Sequence, residues 1–267
     1  MVTQRSFLFL VFWLLGAATL GFILIPILAL VAAPGLPGLI GAAQMPDVRQ
    51  AIALSLEAAA LTAILAGLSG VPLAYVLSRR VFPGKKVIEA LVDLPLAVPH
   101  TVAGIALLLA FSRHGFLGEP LGAWLGLHFW GTFAGIVVGM LFVSLPYTVN
   151  AARIGFEAID VHLEKVARTL GAGPWKVFAK VTLPLAWRGV MGGLTLTFAR
   201  AISEFATVAL LAYYPMTAPI KVYELFLRFG LDAAVGAAVL FLAVVLTLFL
   251  FLRYFAYGGG ASRGFGR

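Results

Sequence analysis

Arg200 and Glu204 stand four residues apart in a run, 189–212, that carries no other charge. On a helix that spacing puts both on one face and within reach of each other. A guanidinium in an apolar span can contact an anion, or the neighbouring carboxylate can neutralise it in a structural ion pair. The residues alone leave both readings open. Asp93 and His100, seven residues apart, share roughly one face of another apolar segment, and Pro95 and Pro99 between them should bend it and free backbone carbonyls. The four histidines (His100, His114, His128 and His162) are scattered, with no spacing suited to a metal site. Neither a nucleophile elbow nor a zinc motif occurs, so no catalytic residue is expected. The one Gly-Lys pair, Gly84-Lys85, is followed by Lys86 and lacks the first glycine of a phosphate-cradling loop. Any ATP chemistry must then come from another chain.

The most informative stretch is different in kind. It runs over 153–184 and is basic and broken by glycine. Leu163, Val166, Ala167 and Leu170 recur at i, i+3, i+4 and i+7 and share a helical face, whereas Glu164, Lys165 and Arg168 lie off it. Gly171 follows the last periodic residue, where a left-handed residue ends a helix. Pro174 suits the first turn of a second helix, with Gly173 as its cap. That helix would carry Trp175, Val177, Phe178 and Val181 on its apolar side and Lys176 and Lys180 on the other. Two short amphipathic helices joined by a tight bend make a docking surface.

The elements that must hold these residues are membrane helices. The chain is 62% hydrophobic and only 11% charged, against about 25% charged in soluble domains. Uncharged runs cover 6–46, 58–78, 129–152 and 233–252, each long enough for a crossing helix of about 20 residues. Two further spans, 94–112 and 189–212, contain the polar residues just described. The expectation is therefore an all-α polytopic protein with six transmembrane helices in one domain, 1–257, followed by a Gly-rich tail, 258–267, expected to be disordered. The first apolar run, from Phe7 to about Val31, exceeds the 7–15 residues of a signal-peptide core and reads as a retained helix.

Basic residues set the orientation. Arg5, Arg79, Arg80, Lys85, Lys86, Arg153, Lys165, Arg168, Lys176, Lys180, Arg188, Arg253, Arg263 and Arg267 fall on one side, and Arg49, Arg113, Lys221 and Arg228 on the other, fourteen against four. The positive-inside bias puts both termini and the 153–184 loop in the cytoplasm. It also accounts for much of the +8 net charge, with no soluble basic domain that would call for a nucleic-acid partner. The absence of cysteine excludes disulfides and thiolate metal sites.

The spacing from Lys165 to Gly171, Val181 and Leu183-Pro184 resembles the signature of ABC importer permeases: Glu-Ala-Ala, three residues, Gly, nine residues, Ile, one residue, Leu-Pro. Lys165, Val166 and Val181 depart from it, and Glu164 could supply a carboxylate one place early, about 100° round the helix. In that family the loop inserts into a cleft on a separate ATPase. The resemblance implies ATPase-coupling roles for Glu164, Lys165, Val166, Ala167, Arg168, Gly171 and Pro184. It also implies a homodimer, two cytoplasmic ATPase subunits that hold ATP and Mg, no cofactor in this chain, and an external solute-binding protein. Segments 92–104, 199–205 and 212–219 look like molybdate/tungstate permeases. Sulfate and thiosulfate permeases share the Arg-x-x-x-Glu-Phe element and form the alternative substrate reading. A proton- or sodium-coupled secondary transporter is the alternative from another class. Such transporters place acidic residues near the midplane, where only Glu204 qualifies and Arg200 should neutralise it. A channel or membrane scaffold is a third reading.

Overall fold

A computed structural model describes residues 2–257, with side chains over 8–254. The order is α1 (Val2–Ala32), α2 (Gly35–Gln44), α3 (Pro46–Arg79), α4 (Lys85–Ala97), α5 (His100–Phe111), α6 (Gly118–Leu125) and α7 (Phe133–Glu157). There follow α8 (Val161–Thr169), α9 (Pro174–Val177), a π-helical turn (Phe178–Thr182), α10 (Leu183–Ile202), α11 (Ala206–Leu211), α12 (Ala218–Phe229) and α13 (Leu231–Tyr257). The described residues contain no strand. Expectations for the tail 258–267 lie outside them.

Small side chains let the central helices touch. A Cβ on Gly189 of α10 would stand 2.8 Å from the Gly155 Cα of α7, and one on Gly193 would stand 3.1 Å from the Thr148 Cα. Close approach brings side-chain oxygens together as well. The hydroxyls of Thr148 and Thr197 lie 2.6 Å apart, and Thr197 donates to the Ser144 carbonyl at 3.0 Å. In lipid, where there is no hydrophobic drive between helices, such small-residue and hydroxyl contacts do much of the association. α3 completes the trio, burying Ala58 and Ala59 against Ile136 and Met140 of α7 and Ile202 of α10. Its 34 residues extend about 51 Å, more than the roughly 30 Å of hydrocarbon, so α3 carries its packing beyond the membrane. α12 and α13 pack beside this core, with α2 against α13. α1 has no buried residue over 8–32, so that whole stretch is left to lipid or to another chain.

Four of the expected spans form single helices that are long and apolar enough to cross: Leu8–Ala32, Pro46–Arg79, Phe133–Glu157 and Leu231–Tyr254. The other two are broken. α4 and α5 pass the same test only as a pair, bent by 113°. Val98, forced out of the helical region by the following proline, takes φ −76° and ψ 129°. The bend corrects one expectation. Asp93 and His100 lie on different arms, and Asp93 instead accepts from the Asn150 side chain of α7 at 2.6 Å. The expected fifth span stops at Ile202 and restarts at Ala206 and does not pass that test, so the described residues hold four such helices, or five counting the bent pair, against the six expected. α6 and α12 are short helices in stretches read from sequence only as connections.

The Gly155–Gly189 contact yields a test. Gly189→Ala should lower the thermal midpoint of the purified protein, since overpacking costs about 1–3 kcal/mol. Gly16→Ala, where a Cβ would have nothing within 4 Å, should be neutral or slightly stabilising. Equal midpoints for the two variants would contradict the close approach.

Candidate functional site

The loop after α7 is built from local signals that close its backbone hydrogen bonds. Asp160 caps α8, accepting from the His162 N–H at 2.8 Å. At the other end Gly171 has φ +83°. Its N–H reaches the Arg168 carbonyl at 2.9 Å, while the Ala172 N–H reaches Ala167 at 3.0 Å. This pair of bonds is the Schellman ending, and it needs a residue without a Cβ penalty at Gly171. Pro174 opens α9 behind Gly173, as the spacing implies. The second helix then runs through the π turn directly into α10.

Glu164 is the one buried residue of α8, and most of the helix's apolar face is exposed. Leu163, Val166 and Leu170 are exposed at 46%, 42% and 83%, and Trp175 at 83%, whereas Glu164 is only 2% exposed. Lys165, Arg168, Gly171 and Pro184 are exposed and Ala167 half-buried. The Glu164 carboxylate is held from several sides: Arg79 Nε donates to Oε1 at 2.8 Å, Thr182 Oγ1 to Oε1 at 3.0 Å and Tyr75 OH to Oε2 at 3.3 Å. Arg79 also donates to the Ile159 carbonyl at 3.3 Å. Tyr75, Phe156 and Phe178 pack edge to face around this cluster. A buried carboxylate so fully paired pins α8 to the end of α3 and to the π turn. Sequence reasoning missed Arg79, Tyr75 and Thr182 because their partners lie 18 to 89 residues away; Arg79 was absorbed into the basic-side count.

The intramembrane pair forms as the i, i+4 spacing implies, with Arg200 Nη2 2.8 Å from Glu204 Oε2. A third member, His100, joins it from the other helix break. Arg200 Nη2 lies 3.0 Å and 2.8 Å from the Nδ1 and Nε2 of His100, whose Nδ1 is 3.1 Å from Glu204 Oε2. Glu204 Oε1 accepts from the Thr207 N–H at 2.9 Å, and Thr207 Oγ1 donates to the His100 carbonyl at 3.1 Å. The bends at Val98–Pro99 and Ser203–Phe205 are thus cross-linked to each other. No signal along the sequence links His100 to a residue 100 positions away; only the break in each span hints at a meeting point.

At the far end of α3 a third polar set surrounds a cavity of about 480 Å³ lined by Asp47, Gln50, Tyr214, Lys221, Glu224 and Arg228, among others. Lys221 Nζ reaches Glu224 at 2.8 Å and Asp47 at 3.4 Å, and Arg228 Nη1 reaches Glu224 at 2.9 Å. Hydrogen bonds from Lys221 and then Arg228 hold the Glu224 carboxyl below its usual range. Burial pushes the Lys221 ammonium down, but its bonds to Glu224 and Asp47 more than offset that and leave it raised. Among the described residues no group of three or more His, Asp or Glu is arranged to hold a metal.

Residues 70–258 match the family of binding-protein-dependent transport system inner membrane components. The chain belongs to that family. It is 41% identical over 253 residues to the molybdate/tungstate transport system permease protein WtpB of Thermococcus kodakarensis, covering 94% of this chain and 97% of that one. It is 40% identical over 180 residues to the molybdenum transport system permease protein ModB of Escherichia coli K12, covering 66% and 79%. The same fold occurs in a bacterial ABC transporter involved in import of the polysaccharide alginate (TM-score 0.72, 19% identity, covering 93% of this chain and 96% of that one). It occurs also in the MetNI methionine ABC transporter (TM-score 0.60, 16% identity, covering 78% and 92%). The permease is thus a multi-pass membrane protein of the ABC importer type, with the 153–184 loop and the paired helix breaks inside the matched region.

Two outcomes follow from the site. Gly171→Leu puts a branched side chain at φ +83°, a conformation such residues avoid. The variant should enter the membrane and assemble, yet lose stimulation of ATP hydrolysis by the binding protein; full stimulation would contradict the bend. The second concerns pH. Glu224 has a lowered value when folded, so its contribution to stability is present above the unfolded carboxyl value and fades as pH falls through the folded one. Lys221 is raised, so its contribution fades only as strongly alkaline pH passes the folded value. The gap in thermal midpoint between the parent protein and Glu224→Gln should therefore be largest near neutrality and close as acid pH falls through the lowered folded value. A gap independent of pH would show that the carboxylate charge is not the cause.

Proposed function

We propose that this permease is the membrane subunit of an ATP-driven importer of molybdate and tungstate. The observation that carries the substrate is the full-length likeness to permeases named for those anions. Two copies of the chain would enclose the pathway. Each would receive an ATPase subunit on the face formed by Leu163, Val166, Leu170 and Trp175, since apolar side chains exposed on a cytoplasmic loop favour a partner surface. ATP and Mg belong to those subunits, and this chain supplies coupling rather than hydrolysis. An external solute-binding protein delivers the anion to the opposite face. The excess of basic residues supports placing both termini and the loop in the cytoplasm.

Alternating access follows from this arrangement. Closure of the ATPases draws the two loops together, and their displacement passes through α8 to α3 and α10, which meet at Glu164. A sulfate or thiosulfate substrate would use the same machinery and is separated only by experiment. Coupling to an ion gradient is disfavoured because Glu204 is already engaged by Arg200, His100 and the Thr207 N–H.

The binding protein is where selectivity can be measured, because size and hydrogen-bond fit separate molybdate and tungstate from the smaller sulfate. Calorimetry on the cognate binding protein should give tight binding of molybdate and tungstate and much weaker binding of sulfate. Vesicles containing the complex should accumulate labelled molybdate or tungstate only with ATP, the ATPase and the binding protein all present. Preference for sulfate would replace the substrate and leave the permease in place. Uptake driven by an ion gradient without the ATPase would overturn the ATP-driven reading.

A further inference from the structure

The Arg200 side chain is 23% exposed and the His100 side chain 41%, although both lie in stretches whose composition reads as spanning. A charge at that depth does not face lipid; it faces protein or a water-filled path. Its depth can be estimated from α10. Arg200 is twelve residues beyond Arg188, about 18 Å along the helix, which puts it near the middle of a hydrocarbon layer of about 30 Å. Around it Thr101 and Ser203 are also exposed at the two helix breaks. Such a polar opening, formed where two discontinuous helices meet at mid-depth, is the usual setting of a solute contact in membrane transporters.

Charge decides which solute. Glu204 is 2% exposed and spends its carboxylate inward, on the Thr207 N–H, His100 and Arg200. The accessible groups are therefore a guanidinium, which donates toward an anion, and the imidazole edge beside it, whose ring nitrogens face Arg200 and Glu204 until the ring turns. A guanidinium presents paired N–H groups that match two oxygens of a tetrahedral oxyanion, and five donors leave some free after Glu204 is served. We propose that Arg200 and His100 form an intramembrane contact for the passing oxyanion, with Glu204 as the internal counter-ion that holds Arg200 in place between passages. The counter-ion keeps the contact weak, as a transport step requires, because the anion must compete with a carboxylate already bound to Arg200. This inference rests on the oxyanion reading above and adds the residues that meet the anion within the membrane.

The chain has no cysteine, so Ser203→Cys supplies a single thiol beside Arg200. In the assembled complex in vesicles, a membrane-impermeant, negatively charged thiol reagent should label it during ATP turnover, and added tungstate should slow the labelling several-fold. A thiol that never labels would place the break against lipid or closed protein, and labelling indifferent to tungstate would deny anion occupancy. Either result overturns the contact. A second arm uses charge. His100→Gln should reduce molybdate taken up per ATP hydrolysed, and His100→Lys should restore it. The paired neutral variant Arg200→Gln with Glu204→Gln should lower that ratio about tenfold, the loss of one charge-assisted contact. An unchanged ratio in the neutral pair, or equal ratios in the two His100 variants, reduces the cluster to a structural staple. If the neutral pair does not assemble, the His100 variants and the thiol decide. A parent complex that imports no oxyanion at all would defeat the substrate reading itself, and this contact with it.

Discussion

Lipid offers no partner to a carboxylate or a free backbone N–H, so each interruption of a spanning helix must be closed by groups of the protein itself or line a water-filled cavity. Two interruptions in this chain are closed by each other. The stop between Ile202 and Ala206 leaves the Thr207 N–H to Glu204, and Glu204 in turn needs Arg200 and His100. His100 is available there only because Val98 and Pro99 turn α5 away from α4. The Thr207 hydroxyl then takes the His100 carbonyl. Removing a partner of the buried Glu204 carboxylate would leave that acceptor short of a mate, which costs more than the bond itself gains. The two bends therefore stand or fall together.

The same logic, applied at the Arg79 end of α3, explains why α8 buries Glu164 and leaves its leucines outside. An amphipathic helix on a soluble protein hides its leucines. Here the inward side carries Glu164, because Arg79, Tyr75 and Thr182 offer that carboxylate a better site than water does. Leu163, Val166 and Leu170 are left outside. Their exposure costs little if another subunit covers them, and it makes the loop a surface for association rather than a strut of the bundle.

Much of this could be read along the chain wherever the determinant is local. The length of each apolar run marked the four continuous helices, a glycine at the end of a periodic stretch marked the φ +83° turn, and a four-residue spacing marked the Arg200–Glu204 pair. What could not be read depends on contacts between distant segments. Periodicity shows that Leu163 and Glu164 lie on different faces, but not which face packs; that is decided by Arg79, 85 residues earlier. Prolines mark a bend near Pro99, but not its 113° angle, which moves His100 off the face it would share with Asp93. α12 falls between the apolar runs, and the ion pairs that bury its Lys221 and Glu224 are set by the fold and by no spacing of apolar residues.

One helix carries all three of the constraints that matter. Thr182, just before α10, holds Glu164 of the 153–184 loop; Gly189 packs against Gly155 of α7 with no room for a Cβ; Arg200 holds the polar cluster with Glu204 and His100. From Thr182 to Arg200 is eighteen residues, about 27 Å of continuous helix. The π turn ends at Thr182, so the irregular hydrogen bonding is confined to the loop end and the rest of the helix is stiff. The contact with α7 continues past the glycines, through Gly193 against Thr148 and Thr197 against Thr148 and Ser144, so α10 is held along several turns. The 153–184 loop and the polar cluster are thus joined without any contact between them, through one helix packed along its length.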